Sequence, residues 1–418
     1  MSSAHVSDVA TGPTRAGRDA ASARTVAGGM LHGVSELRIV LLTGLGDVVH
    51  GLPVVCAIRR LRPDIRITWV AEPMPAALLV PHPAIDRVVV FEKKKGWRGV
   101  VALREALRGP RPDLTLNLNI YFKSVFPTIL NPAPVRVGFD RGRSRDGTWL
   151  FANRHLEARP RAHTQDMFLE FLAMLGVPGG NLEWQLEPTP DELAQRDAFF
   201  GRTCEPGEDV VAIVTASANP KKDWVPERYV ELVDRLYAEF QLRPVLIGGP
   251  GRRETGIAQL IVERARAPVV HALGDGVRRL IWLIQGSRLV IAPDTGPVHI
   301  ARALGVPVIG LYGHTNPWRV GPYRRFEDLW VDTYTEPGAP ADPSNVTPKL
   351  GRMEHITVTA ILARVRAALE RYPPNRAGAP NAAAAPDASP AGAGSPTRRR
   401  DPDADPGRSR SPGRSHSP

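Results

Sequence analysis

The feature that most limits how this chain can fold is a rhythm that runs twice. Short apolar runs alternate with longer amphipathic stretches. That is the pattern of β-α-β units, in which buried parallel strands are joined by right-handed helical crossovers. In the first run, Leu37–Leu42 (LRIVLL) predicts a strand, followed by a glycine loop and a helix near Gly51–Leu61. Further strands are predicted at Arg66–Val70, Arg87–Phe91 and Leu114–Leu118, with a helix over Trp97–Leu107. The pattern lapses over Gly176–Gly207, where GVPGG and PTP break the chain. It restarts with strands at Val210–Val214, Pro244–Ile247, Arg288–Ile291 and Val308–Leu311. The helices of this second run are predicted at Pro226–Phe240, Thr255–Arg266, Val277–Gln285, Pro297–Leu304 and Thr357–Tyr372. An α/β protein follows, with two Rossmann-like domains of similar size facing each other across a ligand cleft.

Composition narrows the function classes. A chain of 418 residues with 43% hydrophobic and 23% charged side chains is globular and long enough for two or three domains. No run of 18 apolar residues exists to span a membrane, and no apolar run follows Arg15, Arg18 and Arg24 as a secretory signal would require. Two cysteines, Cys56 and Cys204, cannot build a disulfide framework, so a reducing compartment is expected. Residues 1–35 and 376–418 are poor in large apolar side chains and are expected to be disordered extensions, the second rich in Pro, Ala, Arg and Ser. The net charge of +11 resides mostly between these ends and favours anionic partners: nucleic acid, nucleotide phosphates or an acidic membrane face. The closing RSRSP stretch resembles an arginine-serine RNA-binding tail as well as a plain solvated extension.

Three loops carry candidate chemistry. Thr43-Gly44-Leu45-Gly46-Asp47 follows the first strand, and its glycines Gly44 and Gly46 allow the backbone close to a ligand. A dinucleotide fingerprint would need glycine at position 49, where Val49 stands; Glu72 would be its ribose-binding acid. Asp47 is a carboxylate in a loop that otherwise suits anions, and a helix cap is the plainer explanation for it. The second loop runs Thr215-Ala-Ser217-Ala-Asn219-Pro-Lys221-Lys222-Asp223-Trp224, with hydroxyls and two lysines that suit a phosphate or an ordinary solvated turn. The third, Asp294-Thr295-Gly296-Pro297-Val298-His299, places Pro just inside a helix start. First-turn amides beside Thr295 and Gly296 form an anion site there, with His299 either facing the ligand or buried among hydrogen bonds.

Taken together, GDVVHGLP (Gly46–Pro53), KKDW (Lys221–Trp224) and DTGPVH (Asp294–His299) resemble glycosyltransferase family 9, the ADP-heptose:lipopolysaccharide heptosyltransferases of the GT-B fold. The resemblance extends from about Leu37 to Tyr323, and the final helix also fits. It implies an N-terminal acceptor-side domain over 36–178, a linker region over 179–207 and a donor-binding domain over 208–350. A C-terminal segment over 351–375 is then expected to cross back onto the first domain. Asp47 matches the family's proposed general base, and Lys222, with Lys221 as a rival, the lysine on the donor diphosphate. Thr215, Ser217, Glu254, Asp294, Thr295, Gly296 and His299 fall on the donor side, although Ser217-Ala218 replaces a frequent pair of threonines. Lys93, Lys94, Lys95, Lys123, Arg141 and Arg143, with Arg98 and Arg145 nearby, are acceptor-side candidates.

The implied reaction is an inverting transfer of heptose from ADP-heptose to a lipopolysaccharide inner-core acceptor, in the cytoplasm at the inner-membrane face. No cofactor and no metal are expected, because no paired-acid metal motif lies in 36–375; Asp401, Asp403 and Asp405 fall in the tail. A transferase for another nucleotide sugar, an NAD-dependent enzyme and a non-catalytic nucleotide- or RNA-binding protein are the competing readings.

Overall fold

The computed structural model describes residues 29–178 and 180–373. The expected tail at 376–418, and residues 1–28 of the expected N-terminal extension, lie outside them. Residues 29–35 do not behave as an extension. Leu31 and Val34 are buried in the core. Arg62 Nη2 donates to Val34 O at 3.0 Å and Asp113 accepts from the Ser35 and Glu36 amides, so the segment is tied down on both sides.

The first half runs β1 (Glu36–Val40), α1 (Leu45–Leu61), β2 (Arg66–Ala71), α2 (Pro73–Ala76), β3 (Arg87–Val90), α3 (Trp97–Ala106) and β4 (Leu114–Asn117). It continues through α4 (Val125–Ile129), β5 (Val135–Gly138), β6 (Arg154–His155) and α5 (Thr164–Leu175). The second half begins with α6 (Pro190–Thr203), β7 (Val210–Val214), α7 (Pro226–Phe240), β8 (Arg243–Ile247), α8 (Arg252–Arg264) and β9 (Val270–His271). It ends with α9 (Val277–Gln285), β10 (Leu289–Pro293), α10 (Gly296–Leu304), β11 (Val308–Tyr312), α11 (Pro317–Val320), β12 (Val331–Asp332) and α12 (Val358–Arg371). Each half holds a six-stranded parallel sheet, ordered β3-β2-β1-β4-β5-β6 and β12-β11-β10-β7-β8-β9. Their central strands β1, β7 and β10 are Val/Ile/Leu-rich because helices cover both faces. The order reverses between β1 and β4 in one sheet and between β7 and β10 in the other, opening a crevice at the carboxyl ends of those pairs.

Two expected features differ. The linker region contains α6, a 14-residue helix whose PTP sequence is a start signal rather than a breaker. Thr189 and Glu192 close a reciprocal capping box and Pro190 takes the first helical position. This helix joins the second half: Arg278 Nε pairs with Glu192 at 2.6 Å, and Phe199 packs edge-on against Trp282 at 5.7 Å. The last helix does not brace the first domain either. α12 packs on α7, β11 and β12 through Ile361, Leu362, Val365 and Ala368. Arg371 and the Tyr372 hydroxyl both reach Asp328, at 2.8 and 2.7 Å.

The halves meet where α1 crosses α10, the two helices that start from the glycine loops. A Cβ at Gly296 would meet Leu45 Cβ and Cγ at 2.8 and 3.0 Å, and one at Gly46 would meet the His299 ring at 2.5 Å. Each loop glycine thus receives a side chain from the opposite half. Behind them His50 lies 4.3 Å from His299 and 5.5 Å from His163, ring centre to ring centre. Gln165 Nε2 donates to His50 O at 2.7 Å, and His163 Nε2 lies 3.0 Å from Gly321 O across the interface. Burial holds all three imidazoles below their ordinary value, His163 down to about 3.

Three outcomes follow from this packing. A chain ending before Thr357 lacks α12, exposes the α7 and β11–β12 surface that its apolar stripe covers, and should melt about 10 °C or more lower. Limited proteolysis should then cut first within 208–356; first cuts confined to 36–178 would mean that α12 supports the other domain. Gly296→Ala overpacks the interface and should cost about 1–3 kcal/mol, a loss that Leu45→Ala partly reverses in the double variant. Chemical denaturation of the singles and the double tests this, and plain additivity would refute it. Because the folded state keeps the three histidines neutral while the unfolded chain protonates them near 6.5, their contribution is complete above about pH 6.5 and falls below it. The loss should continue toward pH 3, where His163 itself titrates. Denaturation between pH 7 and 4 should show a slope shallower by about one proton in His163→Gln.

Candidate active site

A cleft of about 890 Å³ lies between the halves at the two reversal points. One wall comes from the turn after β1 and the start of α1; the other comes from the turns after β7, β8, β9 and β10. α1 starts six residues earlier than its periodicity suggests, because Leu45 is buried against Gly296 of the opposite half rather than on the helix's own sheet. Gly44 occupies the N-cap position in extended conformation, and Asp47 sits in the first turn, half-buried and lining the cleft. Asp47 makes no capping hydrogen bond, so the cap explanation does not describe it.

Opposite stands the loop after β7. Asn219 caps the single turn Pro220–Lys222 by accepting from the Lys221 amide at 3.2 Å. That turn separates the two lysines: Lys222 lines the cleft, whereas Lys221 is exposed and outside its wall. Lys222 Nζ donates to Asp294 Oδ2 at 2.7 Å. Ser217 lines the same wall, with its hydroxyl donating to Asn219 O at 2.6 Å. Thr215 does not reach the wall. Its hydroxyl is buried without a partner, because Val214 and Ala216 take the cleft-facing side and strand alternation turns Thr215 away. Asp223, held by Arg253 at 2.7 Å and by the Ser217 amide at 2.7 Å, fixes the loop's shape.

Thr295 caps α10 through its backbone, leaving its hydroxyl free of partners at the cleft, beside Gly296 and Pro297. The α10 first-turn amides face the cleft there, and a helix N-terminus favours negative charge. His299 lies in this turn, 6% exposed, with Nε2 4.0 Å from Asp294 Oδ1 and with Nδ1 unpartnered. Glu254, in the first turn of α8, holds its carboxylate over the glycine turn: a Cβ at Gly249 would meet Oε2 at 2.9 Å. Among the described residues no group of three or more His, Cys, Asp or Glu is placed to hold a metal ion, and no helix is long and apolar enough to cross a membrane.

The expected acceptor-side residues divide. Lys93 and Lys123 converge on one oxygen of Glu72, at 2.8 and 2.7 Å. Burial would raise the Glu72 carboxyl, but the two lysines outweigh it and hold the group below its ordinary value. Glu72 is therefore an ion-pair partner rather than a ribose ligand. Lys95 pairs with Glu92 at 2.8 Å, Lys94 is exposed, and the Arg141 guanidinium stacks 5.3 Å over Trp149. Arg143 is a correction. It is 2% exposed and fully engaged by Asp140, Glu170 and the Glu157 carbonyl, so it braces the turn after β5 and faces no ligand. The sequence pattern also passed over Tyr121, Thr164 and Arg319, which line the cleft. Arg319 had a usable signal, since Asn316-Pro317 after β11 is a cap followed by a helix start.

Residues 100–337 match the family described as glycosyltransferase family 9 (heptosyltransferase). The lipopolysaccharide core heptosyltransferase OpsX of Haemophilus influenzae is 32% identical over 302 residues, covering 72% of this chain and 85% of that protein. Among solved structures, a glycosyl transferase family 9 protein from Veillonella parvula superposes with TM-score 0.69 at 22% identity, covering 80% of this chain and 97% of its own. The E. coli heptosyltransferase WaaC, solved with ADP, gives TM-score 0.64 at 22% identity, with 80% and 99% coverage. Both share this pair of facing parallel sheets, the GT-B arrangement expected from the sequence. The chain belongs to glycosyltransferase family 9, the heptosyltransferase family, and is a glycosyltransferase.

Proposed function

We propose that the protein transfers a heptose from ADP-heptose to a lipopolysaccharide inner-core acceptor, with inversion at the anomeric carbon. The observation that carries the mechanism is the pairing of opposed charges across one cleft. Asp47 stands at the reversal point of the first sheet, and Lys222 with the α10 N-terminus at that of the second. The relative OpsX is named for lipopolysaccharide core heptose transfer, and WaaC was solved with ADP, which supports the substrate class.

In this reading the acceptor hydroxyl gives its proton to the Asp47 carboxylate as its oxygen bonds to the anomeric carbon. The bond from that carbon to the diphosphate oxygen breaks on the opposite face, and the electron pair leaves with ADP. Negative charge then grows at the departing diphosphate, where Lys222 Nζ, the α10 amides and the Thr295 hydroxyl are aimed. These fixed charges supply the neutralisation, and no metal is assigned a part. Glu254 suits the donor's ribose, and His299 sets the Asp294 side of the donor loop. Lys93, Lys94, Lys95, Lys123 and Arg141 meet the anionic acceptor, with the first half toward the cytoplasmic membrane face.

Asp47→Asn keeps the shape and removes the base. It should lower kcat at least about a hundredfold while leaving donor affinity intact. Lys222→Ala removes a cation and leaves Asp294 unpaired, so donor affinity and kcat should both fall. Steady-state ADP release and calorimetric titration of ADP separate the two. Wild-type turnover by Asp47→Asn at saturating acceptor would overturn the assignment of the base.

A further inference from the structure

Several cations at or near the cleft have carboxylate partners: Lys222 with Asp294 and Arg253 with Asp223 on its wall, and Lys93 with Glu72 in the first half. Three arginines at the acceptor side do not. Among the described residues, Arg145, Arg161 and Arg319 carry no ion pair with any carboxylate. The Arg145 guanidinium lies 5.8 Å over the Tyr121 ring, a cleft-lining residue. Arg161 Nη2 reaches only a backbone oxygen, Arg143 O, at 3.3 Å. Arg319 lines the cleft from the other half, held by the Thr164 hydroxyl donating to its carbonyl at 3.4 Å, and its Nε is buried with no partner.

The three belong to one neighbourhood. Burial, then the positive fields of Arg145 and Arg319, push the Arg161 guanidinium below its ordinary value. Holding like charges together without a counterion costs free energy, and a buried guanidinium N–H without an acceptor costs more. An anion that met these guanidinium groups would relieve both costs. Guanidinium forks match a carboxylate or phosphate in two-point geometry. Asp47 lines the same cleft and would repel an anionic acceptor, so the reaction needs a compensating charge beside it.

We infer that Arg145, Arg161 and Arg319 form an anion clamp, built from both halves, that seats a carboxylate or phosphate of the acceptor saccharide next to Asp47. This rests on the acceptor class proposed above. It assigns Arg161 and Arg319 as binding residues that set acceptor specificity, and it makes acceptor binding depend on both domains together.

The test uses the full-length enzyme and a lipid-free, heptose-less inner-core saccharide in three forms: native, dephosphorylated and carboxyl-reduced. Arg161→Gln and Arg319→Gln should each raise the acceptor KM about tenfold or more on the native saccharide, with kcat and ADP affinity retained. Arg319→Lys should recover part of the loss. For wild type, one of the two modified saccharides should show the same rise in KM, which identifies the group held. On that saccharide Arg319→Gln should add nothing further. Unchanged KM in both glutamine variants, or a full additional loss on every saccharide, would overturn the clamp. Calorimetric titration of the native saccharide keeps the two readings apart. Arginine-dependent binding without transfer would preserve the clamp and remove the proposed reaction, and absence of binding to wild type would remove the clamp.

Discussion

The structure depends on one reciprocal contact. Leu45 from the first half fills the space above Gly296, and His299 from the second fills the space above Gly46. Neither loop can carry a Cβ at that glycine without displacing the side chain that the other domain packs against it. The contact therefore does two jobs at once. It brings two helix N-termini to the same cleft, and it sets the distance between the walls to that of the side chains between them. The buried histidines behind it extend the same seam, which keeps water from the back of the site.

Charge around the cleft is sorted in a way that sheet topology explains. Parallel sheets bring loops together only at strand carboxyl ends, so all candidate polar groups crowd onto two facing edges. On the second half most of them neutralise one another, as with Lys222–Asp294 and Arg253–Asp223. On the first half Lys93 and Lys123 share a single Glu72, and positive charge is left over. The +11 of the whole chain thus has a local expression in the first half rather than a uniform coat.

Much of this was legible in the sequence, for a physical reason. Strands buried on both faces must be continuous apolar runs, and β1, β2, β4, β7, β8, β10 and β11 stand out accordingly. What was missed depended on contacts between distant segments. The beginning of α1 is apolar because it faces α10, not its own sheet. The helix α6 hid behind prolines that break a chain in one context and start a helix in another. Family resemblance implies that α12 returns to the first domain, whereas its stripe fits α7 and the β11–β12 edge. Arg143 looked like one more exposed cation until Asp140 and Glu170, three and 27 residues away, were seen to enclose it. Of the two adjacent lysines, only the Asn219-capped turn distinguishes the one that faces inward.

The pairing of Lys222 with Asp294 has a consequence for which anions the cleft accepts. A monovalent anion that displaces the carboxylate exchanges one negative charge for another and gains almost nothing. A diphosphate brings more charge than it displaces and also meets the α10 amides, so its excess is rewarded. An anion competing for Lys222 would therefore be sorted by valence, as on an ion-exchange resin: singly charged ions would leave the lysine with its own carboxylate, and a multiply charged group would take it away.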